Sequence, residues 1–213
     1  MNMKRLLFII LVFVGMASAV PASAQFRYGP TVGLDLTTLK FKQDLFTIDQ
    51  SLGYTAGIQG EMMFPGIGFG LDIAALYTQR GATMNLGERE VWKADGLGRE
   101  RSYLHYLEIP VNLRFKWTRM AGLEDYIAPY VFGGPTFSFL VAHNSLKGND
   151  KQPVMNYAGG DLGVQCGLGF EIMQKWQVQA SYTWGMTYSL KTVKLEDLSA
   201  RNRTWTVRVA YMF

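Results

Sequence analysis

Apolar and polar side chains alternate along residues 102–117, most clearly in the stretch YLEIPVNLRF (106–115). One row of alternate positions there is entirely apolar, whereas the other carries Glu108, Asn112 and Arg114. A period of two residues predicts a β-strand with two different faces. In a soluble sheet the apolar face would pack in the core. In a transmembrane barrel it would contact lipid, and the charged face would point inward.

Seven further segments show the same alternation, so the chain is predicted to form eight strands. The predicted strands cover residues 27–38, 52–64, 68–80, 102–117, 126–141, 161–172, 176–188 and 203–213. The fifth strand has the least regular pattern because prolines and glycines interrupt it.

The connections between these strands alternate in length. The long, polar connections lie near residues 40–51, 81–101, 142–158 and 189–201. The short ones lie at Pro65-Gly66, residues 118–125 and Gln174-Lys175. Transmembrane barrels combine short periplasmic turns, long outer loops and an even number of strands. The predicted fold is therefore all-β: an eight-stranded antiparallel up-and-down transmembrane β-barrel with both termini in the periplasm.

A secreted soluble barrel of the lipocalin kind would also have eight alternating strands. The polar rows here are rich in Gly, Ser, Thr and Gln and poor in Lys, which favours a narrow, packed interior instead. Trp and Tyr gather near the strand ends, as in the two aromatic girdles of membrane barrels. The predicted periplasmic rim holds Trp117, Tyr126, Trp176, Tyr211 and Phe213, and the predicted outer rim holds Tyr54, Tyr77, Trp184, Tyr188 and Trp205.

The N-terminal residues predict a secretory signal peptide. Lys4 and Arg5 precede the apolar run 6–14, and Ala22-Ser23-Ala24 fits the small-x-small cleavage rule. The predicted division is a signal peptide at 1–24 and an outer-membrane barrel domain at 25–213, with Ala17-Ser18-Ala19 as an alternative cleavage site.

The C-terminal residues resemble the signal that the outer-membrane insertion machinery reads. Aromatic and apolar side chains occupy every second position up to the final residue, namely Trp205, Val207, Val209, Tyr211 and Phe213. This machinery during assembly, and outer-membrane lipid afterwards, are therefore expected partners.

The net charge and the small number of Cys and His side chains give no reason to expect nucleic-acid or metal binding. The formal charge of +4 falls to about +2 without Lys4 and Arg5, which gives no reason to expect a nucleic-acid partner. Cys166 is the single cysteine and reads as a small lipid-facing residue. The chain has only two histidines, His105 and His143, which are distant from each other in sequence, so no metal or cofactor site is predicted.

Charged residues on the polar rows are expected to pair inside the barrel, because unpaired charges in a narrow interior are costly. The interior set also includes Asp35 and Asp161. The predicted lumen ion network consists of Glu61, Asp72, Glu108, Arg114, Glu171 and Arg208. It would either fill and stabilise the lumen or form a proton or ion path.

The stretch YLEIPVNLRF resembles the central strand of the PorT-like outer-membrane β-barrel proteins of Bacteroidetes, a porin-like family. The resemblance extends over most of the chain after residue 24, including Gly33-Leu34-Asp35 and the terminal aromatic residue. It implies a barrel in the outer membrane. The family's namesake is implied in protein secretion, so secretion-complex proteins are candidate partners.

Catalysis is not predicted. Ser102 lies close to His105, and His143 precedes Asn144 and Ser145, but neither spacing matches a lipase motif. The expected role is a non-enzymatic membrane component or binding scaffold, with Trp92 as a possible loop contact. The alternatives are a secretion-machinery subunit, a surface ligand or adhesion barrel, a minor pore, and a lipid-modifying enzyme.

Overall fold

A computed structural model describes residues 25–41, 48–64, 66, 68–85, 98–118, 120, 122–144, 155–188, 190–192 and 199–213. The strands are β1 (Gln25–Phe41), β2 (Ile48–Met63), β3 (Phe69–Asn85), β4 (Arg99–Lys116), β5 (Ile127–His143), β6 (Met155–Tyr157), β7 (Gly160–Ile172), β8 (Trp176–Gly185), β9 (Leu190–Thr192) and β10 (Ser199–Tyr211). Among these residues, no helix is long and apolar enough to cross a membrane. The predicted signal peptide, residues 1–24, lies outside the described residues.

Eight of these strands form a closed antiparallel barrel. Their order is β1-β2-β3-β4-β5-β7-β8-β10, and pairing of β1 with β10 closes the ring. The seam is continuous from Thr31 opposite Ala210 to Phe41 opposite Ala200. The predicted eight-stranded up-and-down barrel is confirmed. Closure pairs the edges that an open sheet would leave exposed.

The two faces of each strand differ as the alternation predicts. In β4, Leu113 is 68% exposed on the outside, whereas the next residue, Arg114, is completely buried inside. Cys166 is likewise exposed on the outer face of β7. The exterior is therefore an apolar band, and the polar rows fill the lumen. Large apolar side chains also point inward, among them Leu76, Tyr106 and Tyr130.

Seven of the eight barrel strands reach further toward the long connections than their predicted bounds, whereas β8 ends at Gly185 instead of residue 188. β3 continues to Asn85 instead of residue 80, and β4 begins at Arg99 instead of residue 102. Beyond the apolar band both faces of a strand are polar, so the period-two signal fades while the backbone pairing continues. Two short strands were not predicted: β6 pairs with β9, and β9 pairs with β10.

The opposite end of the barrel carries the short turns and both ends of the described chain. Between β7 and β8, Lys175 N–H donates to Ile172 O at 3.2 Å, with Met173 and Gln174 at positive φ. Two consecutive positive φ angles are typical of a type I′ hairpin turn, although neither residue is glycine. Between β4 and β5, Glu124 accepts from the backbone N–H groups of Met120 and Gly122.

Aromatic side chains ring both ends of the apolar band. At the short-turn end, Trp176 contacts Tyr211 at 5.0 Å between ring centroids, and Tyr211 contacts Phe213 at 5.2 Å. At the other end, the ring centroids of Tyr182 and Trp205 lie 4.7 Å apart. The geometry suits a band of hydrocarbon between two interfaces.

Candidate functional site: the charged lumen

Arg114 on β4 is the centre of a charged cluster in the half of the lumen nearer the short turns. Its Nε donates to Asp72 Oδ2 at 2.7 Å, and its Nη1 donates to Glu61 Oε2 at 2.6 Å. Glu61 and Asp72 are direct cross-strand partners on β2 and β3, so register alone brings two carboxylates together. A buried pair of like charges is unfavourable, and the guanidinium between them offsets this repulsion.

Two further cations join this cluster from the strand ends. Arg27 Nη2 donates to Glu61 Oε1 at 2.7 Å and to Glu171 Oε2 at 2.5 Å. Lys116 Nζ donates to Glu171 Oε1 at 2.9 Å. The cluster thus contains three carboxylates and three cations, and its formal charge is zero. We call these six residues the lower lumen cluster: Arg27, Glu61, Asp72, Arg114, Lys116 and Glu171.

Uncharged side chains complete the packing of this cluster. Gln177 on β8 accepts from Arg114 Nη2 at 3.1 Å and donates to Glu61 Oε2 at 2.5 Å. The ring of Tyr130 on β5 lies beneath the Arg114 guanidinium, with its centroid 3.9 Å from Arg114 Cζ. Arg114 and Tyr130 are both almost fully buried. Side chains from opposite walls therefore meet across the lumen and close it at this level.

The remaining inward charges lie nearer the long connections. Arg80 on β3 pairs with Glu108 on β4, and both are buried. Asp35 accepts from Thr206 Oγ1 at 2.5 Å, and Asp161 accepts from Asn202 at 2.8 Å. These contacts form a second polar layer above the lower lumen cluster.

The guanidinium of Arg208 donates hydrogen bonds to a side-chain amide. It lies beside Gln179, its direct cross-strand partner on β8. With the amide oxygen of Gln179 turned toward Arg208, this oxygen accepts from Nε and Nη2 at 3.1 Å each, while the amide nitrogen donates to Tyr130 Oη at 3.1 Å. This orientation is assigned from the hydrogen-bond network.

The structure brings together some residues of the predicted ion network and separates others. Glu61, Asp72, Arg114 and Glu171 share the lower lumen cluster. Glu108 pairs with Arg80 in the upper layer instead. Among the described residues, Arg208 forms no ion pair within 4.0 Å with Glu171 or another carboxylate.

The prediction omitted three cations that the structure places inside: Arg27, Arg80 and Lys116. Each has the same strand parity as a predicted inward charge, so extending the alternation would have found them. Arg27 and Lys116 lie near strand ends, and aromatic residues flank both of them on each side, so the alternation continues there.

Ser102 and His105, which were considered for catalysis, lie apart. Ser102 is buried in the lumen, where its Oγ lies 3.2 Å from Tyr157 Oη. His105 lies on the outer face of the same strand, with Nδ1 2.9 Å from Tyr77 Oη. Because they occupy opposite faces, Ser102 and His105 do not form a nucleophile–base pair. The ring of His143 packs on Tyr157 with centroids 4.3 Å apart.

The structure describes the predicted C-terminal insertion signal but not the predicted loop contact. Trp92 and Ser145 lie outside the described residues. The C-terminal row from Trp205 to Phe213 lies along the outer face of β10, and Phe213 N–H donates to Tyr28 O at 2.8 Å next to the seam. Within the described ranges, no group of three or more His, Cys, Asp or Glu side chains could hold a metal ion.

Two solved outer membrane proteins are similar to this chain. The outer membrane protein OprG from Pseudomonas aeruginosa is 13% identical, with a TM-score of 0.55, and the match covers 88% of this chain and 95% of that one. The attachment invasion locus protein Ail of Yersinia pestis, solved with the heparin analogue sucrose octasulfate, is 16% identical with a TM-score of 0.47, covering 89% and 99%. At 13% identity, the likeness to OprG establishes the fold alone.

No curated protein matches this chain. The family model for the outer membrane protein beta-barrel domain matches residues 9–213. This match includes every barrel strand and agrees with the apolar exterior, the polar lumen and the two aromatic rims. The chain belongs to the outer membrane protein beta-barrel domain family, and its barrel resides in the outer membrane.

Proposed function

We propose that this chain is a PorT-like, non-enzymatic scaffold of the outer membrane that binds a partner through its long connections. The observation that carries the proposal is the lower lumen cluster. Arg114 is completely buried between carboxylates from β2 and β3 and an amide from β8. Eight strands leave room only for side chains, so a lumen closed at this level supports a structural role over transport.

The proposed orientation has the short turns and both chain ends in the periplasm, after cleavage of a signal peptide following Ala24. The short turns and both ends of the described chain lie at the same end of the barrel, which supports this orientation. The long connections then face the outside, as in other outer-membrane barrels.

Short strands join two of the long connections to the barrel wall. β9 adds to β10, and β6 adds to β9, so two connections share one small sheet. Tyr157, at the end of β6, contacts Ser102 inside the barrel and the ring of His143. Binding residues are often carried by loops that a rigid scaffold positions, and this arrangement supports such a role.

The resemblance of YLEIPVNLRF to PorT-like proteins favours a second candidate, a subunit of a protein-secretion machinery. In that case the proposed scaffold would hold secretion-complex proteins in a fixed stoichiometry. A free surface ligand barrel would hold none.

The experiment is purification of the tagged protein from its native outer membrane in a gentle detergent, followed by quantitative mass spectrometry. A matched variant replaces residues 86–97, which include Trp92, with a short Gly-Ser linker. We expect a stoichiometric partner with the native chain and its loss with the variant. A partner retained by both forms would place binding elsewhere, and a bare monomer in both would contradict stable scaffolding.

A further inference from the structure

Three basic side chains gather on the outward face where β1 and β10 approach the long connections. Lys40 is the direct cross-strand partner of Arg201, and Thr38 is the partner of Arg203. Directly opposed residues on one face lie about 5 Å apart at Cβ, and alternate residues of a strand lie about 7 Å apart. We call Lys40, Arg201 and Arg203 the outer cationic patch.

Strand parity places this patch on the lipid-facing side. In β10, Asn202 and Thr204 are buried in the lumen, so Arg201 and Arg203 share the outer row of Trp205. In β1, Lys40 shares the row of Leu36 and is exposed. The patch therefore continues an apolar row at its outer end instead of facing the barrel interior.

The charges of this patch are not balanced by carboxylates. Within the described part of the chain, none of the three cations has a carboxylate oxygen within 4.0 Å. Arg203 Nη1 donates to Gly185 O at 3.1 Å, and Arg201 Nη2 donates to Tyr188 Oη at 3.4 Å. The Nε of Arg201 is buried with no hydrogen-bond partner among the described residues.

Strand β4, on the opposite wall of the barrel, carries two outward-facing arginines with different partners. On β4, Arg99 donates to Asp49 Oδ2 at 2.8 Å, and Arg101 donates to Leu52 O at 3.0 Å while lying over the Tyr103 ring. Among the described residues, the β4 wall leaves one cation without a carboxylate partner, Arg101, whereas the β1–β10 seam leaves three.

Aromatic side chains next to the outer cationic patch indicate its depth in the membrane. Tyr182 contacts Trp184 and Trp205 at centroid distances of 4.5 Å and 4.7 Å. The ring of Tyr188 lies 4.8 Å from the Arg201 guanidinium. Trp and Tyr collect at the interface between hydrocarbon and headgroups, so the cations directly above them lie at headgroup level.

We propose that the outer cationic patch binds the phosphate group of a glycolipid in the outer leaflet. Guanidinium groups match phosphate oxygens in geometry and charge, and the apolar row below accepts the acyl chains. The identification of the leaflet rests on the orientation given under Proposed function. The binding contact itself rests on the patch and is measurable whichever way the barrel inserts.

The test uses the purified full chain in detergent and native mass spectrometry with two probes, phosphorylated lipid A and the same lipid after removal of its phosphate. The patch variant is Arg201→Gln with Arg203→Gln. The control is Arg99→Gln with Arg101→Gln, which removes the same charge from the opposite wall. Heat-modifiable migration on gels verifies that each variant is folded.

We expect the patch variant to bind phosphorylated lipid A about tenfold to thirtyfold more weakly than the native chain, at about 1 kcal/mol for each charge. The control should change affinity less than about twofold, because Arg99 already has a carboxylate partner and Arg101 has no second unpaired cation beside it among the described residues. Removal of phosphate should weaken binding to the native chain as much as the patch variant does.

Lys40→Gln keeps the test decisive if the double variant does not fold. Lys40 is exposed, and we expect its replacement to weaken binding about fivefold. Equal affinity of native and variant chains, or equal affinity for phosphorylated and dephosphorylated lipid, would overturn the proposal. So would equally tight binding of phosphatidylglycerol, since this would reveal a general anion surface. None of these results bears on the loop partner of the proposed scaffold.

Discussion

Arg114 is the residue on which the interior depends most. Its side chain is completely buried and bridges Asp72 and Glu61, which are direct neighbours on adjacent strands. A buried ion pair contributes little compared with an apolar replacement of the whole group, but removal of one partner leaves an uncompensated charge. The cluster therefore stabilises the barrel only as a complete set.

We predict that Arg114→Ala lowers the free energy of unfolding by about 3–5 kcal/mol, because Glu61 and Asp72 remain buried without their shared cation. Urea unfolding in phosphocholine vesicles, followed by tryptophan fluorescence, measures this change. The matched control is Arg99→Ala, which breaks the exposed ion pair with Asp49 and should cost less than about 1 kcal/mol. A similar, small loss for both variants would contradict the structural role of the cluster.

Alternation along the strands predicts which face a residue occupies but not which partner it meets. Parity alone indicated that Glu108, Arg114 and Arg208 point inward, and the structure agrees. Pairing of Glu108 with Arg80 depends on the relative height of β3 and β4. That height follows from register and strand tilt, which no single strand encodes.

The strand ends were harder to predict than the strand centres for a related reason. Within the apolar band, lipid on one side and the lumen on the other impose opposite polarity on adjacent residues. At Asn85 or Arg99 both sides are polar, so alternation disappears although pairing persists. β6 and β9 have three residues each, too few to display a period.

Closure at the seam between β1 and β10 requires close backbone approach at Gly29. A Cβ built there would lie 1.6 Å from Tyr211 O and 3.2 Å from Met212 Cα. These are backbone atoms, so no flexible side chain can move away. Glycine at this position is a requirement of the seam.

We predict that Gly29→Ala destabilises the barrel by about 1–3 kcal/mol through this overlap and lowers the yield of folded protein. Heat-modifiable migration after refolding in detergent micelles reports the folded fraction. Gly159→Ala is the control, because a Cβ there meets no atom within 4 Å. If the two alanine variants refold with equal yield, the seam does not need glycine at this position.

At the scale of the whole molecule, the barrel presents lipid-facing apolar residues outside and a closed polar lumen inside. The lower lumen cluster joins side chains of β1, β2, β3, β4 and β7. Closure from so many strands leaves the outer surface and the long connections as the regions available for binding. A lumen filled in this way is not expected to conduct ions.

Planar-bilayer recording with the purified chain measures whether the lumen conducts. We predict that the native barrel inserts and gives no steady unitary current, because Arg114 and its partners fill the lumen. Insertion is verified independently by protease protection in the same lipid. Stable unitary currents from the native chain that vanish in Arg114→Ala would show that the cluster is an ion path, and would contradict the account of a closed scaffold.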